Sequence, residues 1–413
     1  MKKITLVAIT IVFGLQVTHA QKSQSNELPE RYFKEGKEMF VDKNYIGAEH
    51  SLSEFKKKST DASKIKEANF MLLASQFMRG KNVELKLKEY LDDYPETSHR
   101  NEINFYIGSS HYAKKEWKKA IFWLGQADID YLAYGDQDDY AFRLAYANLQ
   151  EGNQAEAYRL FILLTKTSEK YSEAASYYAA YIDFRNKNYA TSIGVFEILK
   201  NKPEYREDAL LYLTQAAYLQ DDLDRTVEKG EQYIKDYPNS RNSAEVYRLL
   251  GNSYSKQGDT DASIANYEKY LALEKNPLRE DMYLLGNTYY NLGANQKAVD
   301  ALKKVASTTD QLGQAAYLRL GQTYLRLNDD TNALMAFDAA SRAKHSPALS
   351  EPALYNYGLL VHKSSYSVFD ESISVFQRFL TEYPNSKYAS NVNSILASTF
   401  LSTKNYQSAL NAI

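Results

Sequence analysis

The sequence predicts an all-α protein built from stacked helix pairs, and three observations support this fold class. Gly251, Gly286 and Gly321 recur at intervals of 35 residues within similar local sequences. Apolar residues recur at helical spacing on both sides of a short polar turn in each interval. Glycine and proline number only 17 and 8 among 413 residues, which favours nearly continuous helix. A fixed period of this length is typical of solenoids, in which each helical hairpin is covered by its neighbours.

The recurring glycines predict a close contact between two helices. A glycine inside a helix costs about 1 kcal/mol relative to alanine, so its return at one phase indicates that a side chain would clash there. After each glycine comes a small residue at one fixed spacing, and one helical turn later comes a bulky one. The small residues are Ser263, Ala298 and Ala333, and the bulky ones are Tyr267, Leu302 and Phe337. The second helix of each pair is therefore expected to press against the glycine.

Weaker copies of the pattern extend the prediction to about eleven repeats over residues 31–413. The glycine phase is occupied by Gly36, Ala74, Gly108, Ala145, Ala180, Gln215, Gly251, Gly286, Gly321, Gly358 and Ala397. The last repeat is incomplete, because its second helix starts near Tyr406 and the sequence stops at the apolar Ile413. A solenoid normally ends in a capping helix with a polar outer face, so we expect the full protein to continue beyond residue 413.

The repeat resembles the tetratricopeptide repeat. The copy that matches most fully has Tyr317, Leu320, Gly321, Tyr324, Ala333, Phe337 and Ala340 at that family's positions. The resemblance implies a right-handed superhelix of antiparallel helix pairs, with a concave groove that binds protein or peptide partners. Arg248, Asn252 and Arg319 match part of the family's carboxylate-clamp pattern. Leu284 and Ala315 stand where the clamp needs polar or basic groups, which argues against a clamp and leaves a general peptide groove.

A Tyr-Pro phrase recurs at three repeat junctions, at Pro95, Pro238 and Pro384. Proline ends the preceding helix, and the Ser or Thr that follows can cap the next one. These junctions resemble those of two bacterial envelope families, the periplasmic cell-division coordinators and the outer-membrane assembly lipoproteins. The resemblance implies the periplasm or an outer-membrane-associated location, and association with an envelope complex.

Residues 1–20 have the pattern of a cleaved signal peptide. Lys2 and Lys3 precede an apolar run from Ile4 to Val17, and Thr18 and Ala20 offer small residues before a cleavage point. No cysteine lies near this point, which excludes the common bacterial lipoprotein route. Residues 21–30 are expected to be a flexible polar lead-in. No later stretch is continuously apolar over the length that a bilayer requires, so no integral membrane span is predicted. The protein is therefore expected to be exported, in a Gram-negative bacterium, to the periplasm.

The composition argues against nucleic-acid binding and catalysis. The chain has 50 basic and 52 acidic residues, a formal net charge of −2, and no basic excess for nucleic acid. It has no cysteine, and its six histidines are scattered without metal-ligand spacing. No phosphate-binding glycine loop or nucleophile elbow is present. We therefore predict no enzyme activity, no cofactor and no metal site.

The candidate partner-binding residues are those at groove-facing phases of the first helices, assigned by analogy with the family. They are Phe105, Tyr112, Arg248, Asn252, Tyr283, Asn287, Tyr290, Gln322, Arg326 and Tyr355. Exposed tyrosine and arginine are common anchors for protein segments. The alternative for each tyrosine is packing against the neighbouring repeat.

The favoured function is a non-enzymatic scaffold that binds protein segments in envelope assembly or secretion. Two alternatives remain open at this point. The repeats could be the periplasmic sensor half of a signalling protein, which would require a membrane helix and a further domain after Ile413. The tyrosine-rich groove could also bind glycan or peptidoglycan, because tyrosine stacks on sugars.

Overall fold

The structure is a computed structural model that describes residues 28–364, 369–402 and 404–412. The predicted signal peptide, residues 1–20, and residues 21–27 of the predicted lead-in lie outside this range. Residues 28–30 already form part of a helix. The described residues form α-helices joined by turns and one short 3₁₀ helix, without a β-strand. The all-α prediction is therefore confirmed.

Helix contacts divide the chain into two units, residues 1–186 and 187–413. The first unit holds α1 (28–41), α2 (Tyr45–Lys58), α3 (Ala62–Met78), α4 (Glu84–Asp93), α5 (Arg100–Ala113), α6 (Trp117–Leu124), a 3₁₀ helix (Ile129–Tyr131), α7 (Tyr134–Gln150), α8 (Gln154–Thr167) and α9 (Ser172–Arg185). Successive helices pack on one another from α2 to α9, and α5 also contacts α7. The core of this unit includes Leu52, Phe55, Phe105 and Phe161, all nearly or fully buried.

The second unit continues the same pattern of stacked helix pairs. It holds α10 (Tyr189–Leu199), α11 (Arg206–Leu219), α12 (Leu223–Asp236), α13 (Ser243–Gln257), α14 (Thr260–Leu273), α15 (Arg279–Leu292), α16 (Asn295–Lys303), α17 (Gln311–Arg326), α18 (Asp330–Arg342), α19 (Pro347–Lys363), α20 (Phe369–Glu382), α21 (Ala389–Ser402) and α22 (Tyr406–Asn411). Each of these helices contacts the next one in sequence. The first helices of successive pairs, α11, α13, α15, α17 and α19, also contact one another in order. These contacts confirm the predicted α-solenoid architecture.

The turns inside the pairs are built from acidic residues that cap the second helix. Asp222, Asp259 and Asp329 each accept a hydrogen bond from a backbone N–H in the first turn of α12, α14 and α18. A carboxylate at this place satisfies an otherwise unpaired donor and interacts favourably with the helix dipole. Gly258 and Gly293 end α13 and α15 in the left-handed region, with φ of 83° and 81°. These acidic residues therefore serve local structure.

The recurring glycines lie against the bulky residue of the second helix in the same pair. A Cβ atom added to Gly286 would lie 2.6 Å from Cγ of Leu302, and one added to Gly321 would lie 2.6 Å from the ring of Phe337. Leu302 and Phe337 are fully buried. No real Cβ atom tolerates such distances, so alanine at either position would force the two helices or the packed side chain to shift. The close contact predicted from the glycine period is confirmed.

A buried polar network joins α13 to its neighbours at the position after Gly251. Asn252 is 1% exposed. Its amide nitrogen donates to the hydroxyl of Tyr218 at 3.2 Å and to Asp281 at 3.2 Å, and its oxygen accepts a hydrogen bond from the hydroxyl of Tyr267. Burial raises the pKa of Asp281, and the guanidinium of Arg248, 3.4 Å away, opposes that shift. The network thus links α11, α13, α14 and α15 through satisfied polar groups.

We expect Gly286→Leu to destabilise the second unit by roughly 2–4 kcal/mol, because a new side chain must enter space that Leu302 already fills. Gly194→Ala is the matched control, since Gly194 lies in α10 with no atom within 4 Å of an added Cβ. That change should stabilise by about 0.5–1 kcal/mol through helix propensity. Urea unfolding followed by circular dichroism measures both variants. Equal midpoints for Gly286→Leu and the wild type would contradict the close-contact argument.

A second prediction compares two asparagines that occupy the same phase of adjacent repeats. Asn252→Ala should destabilise by roughly 2–4 kcal/mol, because it removes one hydrogen bond from the buried carboxylate of Asp281 and leaves the hydroxyls of Tyr218 and Tyr267 without a partner. Asn287→Ala should change stability by less than about 1 kcal/mol, because the Asn287 side-chain oxygen has no hydrogen-bond partner. Thermal unfolding of both variants tests the contrast, and similar losses would refute the role assigned to the network.

Candidate partner-binding face

The candidate site lies on α15 and α17, on the sides of these helices that the core leaves half-exposed. Tyr283, Asn287 and Tyr290 follow one another at i, i+4 and i+7 on α15, so they share one face of the helix. Arg319 and Arg326 share a face of α17 by the same spacing. The two helices contact each other, and Nη1 of Arg326 donates to the backbone oxygen of Tyr290 at 2.6 Å. We call these five residues, with Gln322, the α15–α17 face.

Tyr290 is the centre of this face, because two guanidinium groups lie over its ring. The Cζ atom of Arg326 is 3.4 Å from the ring centroid, and that of Arg319 is 4.6 Å away. Cation–π contacts of this kind are worth about 0.5–1 kcal/mol at exposed sites. Nη1 of Arg319 also donates to the side-chain oxygen of Gln322 at 2.9 Å. The aromatic ring and the amide therefore hold both arginine side chains in place.

The two arginines on this face differ from most others in the second unit. Six arginines there form ion pairs with Asp or Glu, namely Arg206, Arg225, Arg248, Arg279, Arg342 and Arg378. Among the described residues, Arg319 and Arg326 have no carboxylate within 4.0 Å, and their polar contacts are to an amide and a backbone carbonyl. Both therefore keep an uncompensated positive charge. Beside them, the side-chain oxygen of Asn287 is buried and lacks a hydrogen-bond partner.

Three of the residues predicted for the groove serve packing instead. Phe105 is 2% exposed and lies in the first unit's core, beside Tyr140 and under the guanidinium of Arg143. Asn252 is buried in the network described above, and Arg248 is held there by Glu245 at 2.7 Å and by Asp281. The expectation that Phe105, Asn252 and Arg248 contact a partner is corrected accordingly, because their polar groups and surfaces are already occupied within the chain.

The other two predicted aromatics lie outside the α15–α17 face. Tyr112 is a half-buried residue of the first unit, with edge contacts to Trp117 at 5.6 Å and Tyr146 at 5.9 Å. Burial raises the pKa of Tyr112 to about 12. Tyr355 is a half-buried residue of α19, stacked on Tyr388 at 4.2 Å between ring centroids. The structure therefore brings together five residues of the predicted set: Tyr283, Asn287, Tyr290, Gln322 and Arg326. Tyr355 instead packs on Tyr388, the residue just before α21.

Sequence reasoning overlooked Arg319 as a member of this face. It matches one position of a clamp pattern that Leu284 and Ala315 leave incomplete. The i, i+7 spacing of Arg319 and Arg326 was visible in the sequence and placed them on one side of α17. What the sequence could not give was the identity of Tyr290 as the ring that both guanidinium groups cover.

Metal and membrane sites are not found in the part of the chain that the structure describes. No group of three or more His, Cys, Asp or Glu side chains there could hold a metal ion. His99 stacks on Phe70 and lies 2.9 Å from Glu67, and His111 lies 2.6 Å from Glu116. These two histidines therefore take part in local packing and ion pairing. Over the same residues, none of the helices combines the length and the apolar character needed to cross a bilayer.

Comparison with family models gives two matches. A family described as an outer membrane lipoprotein matches residues 168–272. The tetratricopeptide repeat family matches residues 248–311 and 283–347, which include α15, α17 and the face between them. Among curated proteins, no relative matches the chain in sequence.

Solved structures with a similar fold include several repeat proteins. The C-terminal part of a TPR repeat-containing protein from Cytophaga hutchinsonii is 17% identical, covers 57% of this chain and 92% of its own, and has a TM-score of 0.44. A tetratricopeptide repeat protein from Parabacteroides merdae is 12% identical, with coverage of 62% and 99% and a TM-score of 0.40. The MamA protein is 20% identical, with coverage of 44% and 93% and a TM-score of 0.37.

The family match and the fold agree on the same helices. The matched segment, residues 248–347, contains the three regularly spaced glycines and the bulky residues packed against them. The first helices of successive pairs contact one another across this segment, as stacked repeats require. Residues 248–347 match the tetratricopeptide repeat family, within a chain whose described residues form stacked helix pairs throughout.

Proposed function

We propose that the protein is an exported, non-enzymatic scaffold that binds an extended protein segment on the α15–α17 face. The observation that carries this proposal is the pair Arg319 and Arg326, held over Tyr290 without a carboxylate partner in the described residues. Tetratricopeptide repeat families are generally protein-interaction scaffolds, and the match at residues 248–347 covers this face.

The chemistry of the face suits a segment with polar backbone and acidic or aromatic side chains. Asn287 is half-exposed on this face, and its side-chain amide can hydrogen-bond the backbone of a bound segment. Arg319 and Arg326 retain guanidinium N–H groups that can donate to a carboxylate, and charge-assisted bonds of this type are among the stronger ones. Tyr283, half-buried against the core, can supply a rigid contact surface. Binding would then gain from groups that folding has already positioned.

An envelope location is supported by the outer membrane lipoprotein family match and by the signal-peptide pattern at residues 1–20. The sequence contains no cysteine, so these 413 residues hold no thiol to which the lipid of a lipoprotein could be attached. Within that setting, the scaffold would serve assembly or secretion.

Site-specific photocrosslinking tests the binding face. A photoreactive phenylalanine analogue at Tyr283 should crosslink a discrete protein in native-host cells. The same group at Met335, which is 56% exposed on α18, should not. The double substitution Arg319→Gln and Arg326→Gln in the Tyr283 background should reduce the crosslinked product at least about tenfold, since it removes two charge-assisted contacts.

The double substitution is also a stability control, because neither arginine pairs with a carboxylate within the described residues. The free energy of unfolding of the double variant should differ from that of the wild type by less than about 1 kcal/mol. Equal crosslinking from Tyr283 and Met335, or an unchanged product after the double substitution with folding intact, would reject the face as the binding site.

If the protein is exported, its signal peptide should be removed from the amino terminus. Cleavage after Ala20 would give a mature protein that begins at Gln21. Intact-mass analysis of the protein from a periplasmic fraction checks this, with Ala20→Arg as the control that should block cleavage. Recovery of an uncleaved chain from the cytosolic fraction would contradict the export proposal and leave the binding face untouched.

A further inference from the structure

A second surface lies in the first unit, at the connection between α6 and α7. This connection runs from Gly125 to Ala133 and is the longest between consecutive α-helices in the described part of the chain. A pocket of about 490 Å³ opens beside it, between the start of α7 and the end of α8. We call the connection and this pocket the α6–α7 junction. It contains no residue of the α15–α17 face, so it is independent of the function proposed above.

Two tyrosines of the junction are exposed to solvent. Tyr131 is 71% exposed, and Tyr134 is 87% exposed. Among the other described tyrosines only Tyr406 is exposed, and the rest are buried or half-buried. Leu163 of α8 is also exposed, and it lines the pocket together with Tyr134. Rings and apolar groups that the fold leaves in water gain free energy when a partner covers them.

Hydrogen bonds hold the junction in a defined conformation. The hydroxyl of Tyr140 donates to the backbone oxygen of Ala127 at 3.2 Å. The side-chain nitrogen of Gln137 donates to the backbone oxygen of Leu132 at 3.1 Å. Both bonds tie the connection to α7. A partner therefore meets side chains that folding has already positioned, which lowers the entropy cost of binding.

The charged side chains that line the pocket are both negative. Asp130 and Asp138 contribute to the lining, which includes no Lys, Arg or His. Among the described residues, neither carboxylate has a cation within 4.0 Å. Asp138 instead accepts a hydrogen bond from the hydroxyl of Ser168 at 2.6 Å, which is a neutral donor. Both carboxylates therefore keep their negative charge available to a partner.

The surrounding segments leave this negative charge in excess. Residues 126–143 and 163–170 contain six carboxylates and three cations, a net charge of −3. The carboxylates are Asp128, Asp130, Asp136, Asp138, Asp139 and Glu169, and the cations are Arg143, Lys166 and Lys170. Two of the three cations, Arg143 and Lys170, are already paired with Asp139. The start of α7 and the end of α8 add partial charges of roughly +0.5 and −0.5, which offset each other.

We propose that the α6–α7 junction binds a basic segment of a partner protein. An apolar side chain of the segment would cover Leu163 and Tyr134. Arginine or lysine on either side of it would contact Asp130 and Asp138, and a guanidinium can also stack on the ring of Tyr131. Charge complementarity selects this occupant, because an acidic segment would be repelled and a neutral one would gain no attraction from the two carboxylates.

Isothermal titration calorimetry with a defined peptide tests this site. The protein is titrated at low salt with Ac-Arg-Arg-Leu-Leu-Arg-Arg-NH₂. We expect saturable binding that weakens as the salt concentration is raised, because ions screen charges that face solvent. Ac-Glu-Glu-Leu-Leu-Glu-Glu-NH₂ should not bind. Ac-Arg-Arg-Gly-Gly-Arg-Arg-NH₂ should bind at least about fivefold more weakly than the leucine peptide, because it covers no apolar surface.

The junction variant, Asp130→Asn with Tyr134→Ala, should weaken binding of the basic leucine peptide about tenfold or more. Both side chains are exposed, so we expect the variant to fold. The matched control is Asp261→Asn with Tyr406→Ala, which removes the same residue types from exposed positions of the second unit. Tyr406 begins α22 as Tyr134 begins α7. The control should keep the dissociation constant within about twofold, and circular dichroism checks the folding of both variants.

Several results would overturn the proposal. They are no saturable binding of the basic leucine peptide, equal binding of the acidic peptide, wild-type affinity in the folded junction variant, or an equal loss in the control variant. Equal affinity of the glycine peptide would overturn the role of Leu163 and Tyr134. Exposed tyrosine also stacks on sugars, so chitotetraose is titrated as a second probe. Chitotetraose binding that the junction variant abolishes, without binding of the basic peptide, would assign the surface to glycans and overturn the proposal.

Discussion

The contact between a first-helix glycine and the bulky side chain of the second helix is the constraint on which the repeat depends. It recurs at Gly36, Gly108, Gly251, Gly286 and Gly321 with one sequence spacing, and at Gly358 the partner, Phe376, comes slightly later in the chain. In each case the partner occupies the space that a Cβ atom would need. The contact sets how closely the two helices of a pair approach and fixes their rotation. Once the rotation is fixed, the remaining positions of the first helix are assigned to the core or to the surface.

This constraint explains which parts of the structure could be predicted from the sequence. The helix pairs, their period and the close contact each depend on one residue type at one spacing, and that information is local. The roles of Asn252 and Asn287 depend on neighbours instead. They occupy the same phase, yet Asn252 meets the hydroxyl of Tyr267, whereas the equivalent Leu302 offers no polar atom to Asn287. The carboxylate of Asp281 also has no equivalent one repeat later, where the residue is Ala316. A family analogy that treats every repeat alike cannot distinguish these two asparagines.

The same reasoning applies to charge. The near balance of acidic and basic residues argued against a basic surface for nucleic acid, because that conclusion concerns the summed field of the chain. The overall charge balance gave no information about where positive charge is locally in excess. Arg319 and Arg326 lack carboxylate partners among the described residues. Many ion pairs join side chains from different helices, as Arg206 of α11 pairs with Asp236 of α12, which a composition or a linear motif does not record.

Packing positions and surface positions alternate along one helix, so the repeat can change its partner without changing its fold. On α15, Leu285, Gly286 and Tyr289 are buried, whereas Tyr283, Asn287 and Tyr290 are half-exposed. Substitutions in the first group act on the contact with α16 and therefore on unfolding. Substitutions in the second group act on what the helix presents to a partner. Asn252 is the exception. It occupies the position that is half-exposed at Asn287, but it is buried and accepts a hydrogen bond from Tyr267, the bulky residue of the second helix. The bulky residue that faces the glycine therefore decides both how the helices pack and whether the next position on the first helix remains available for binding.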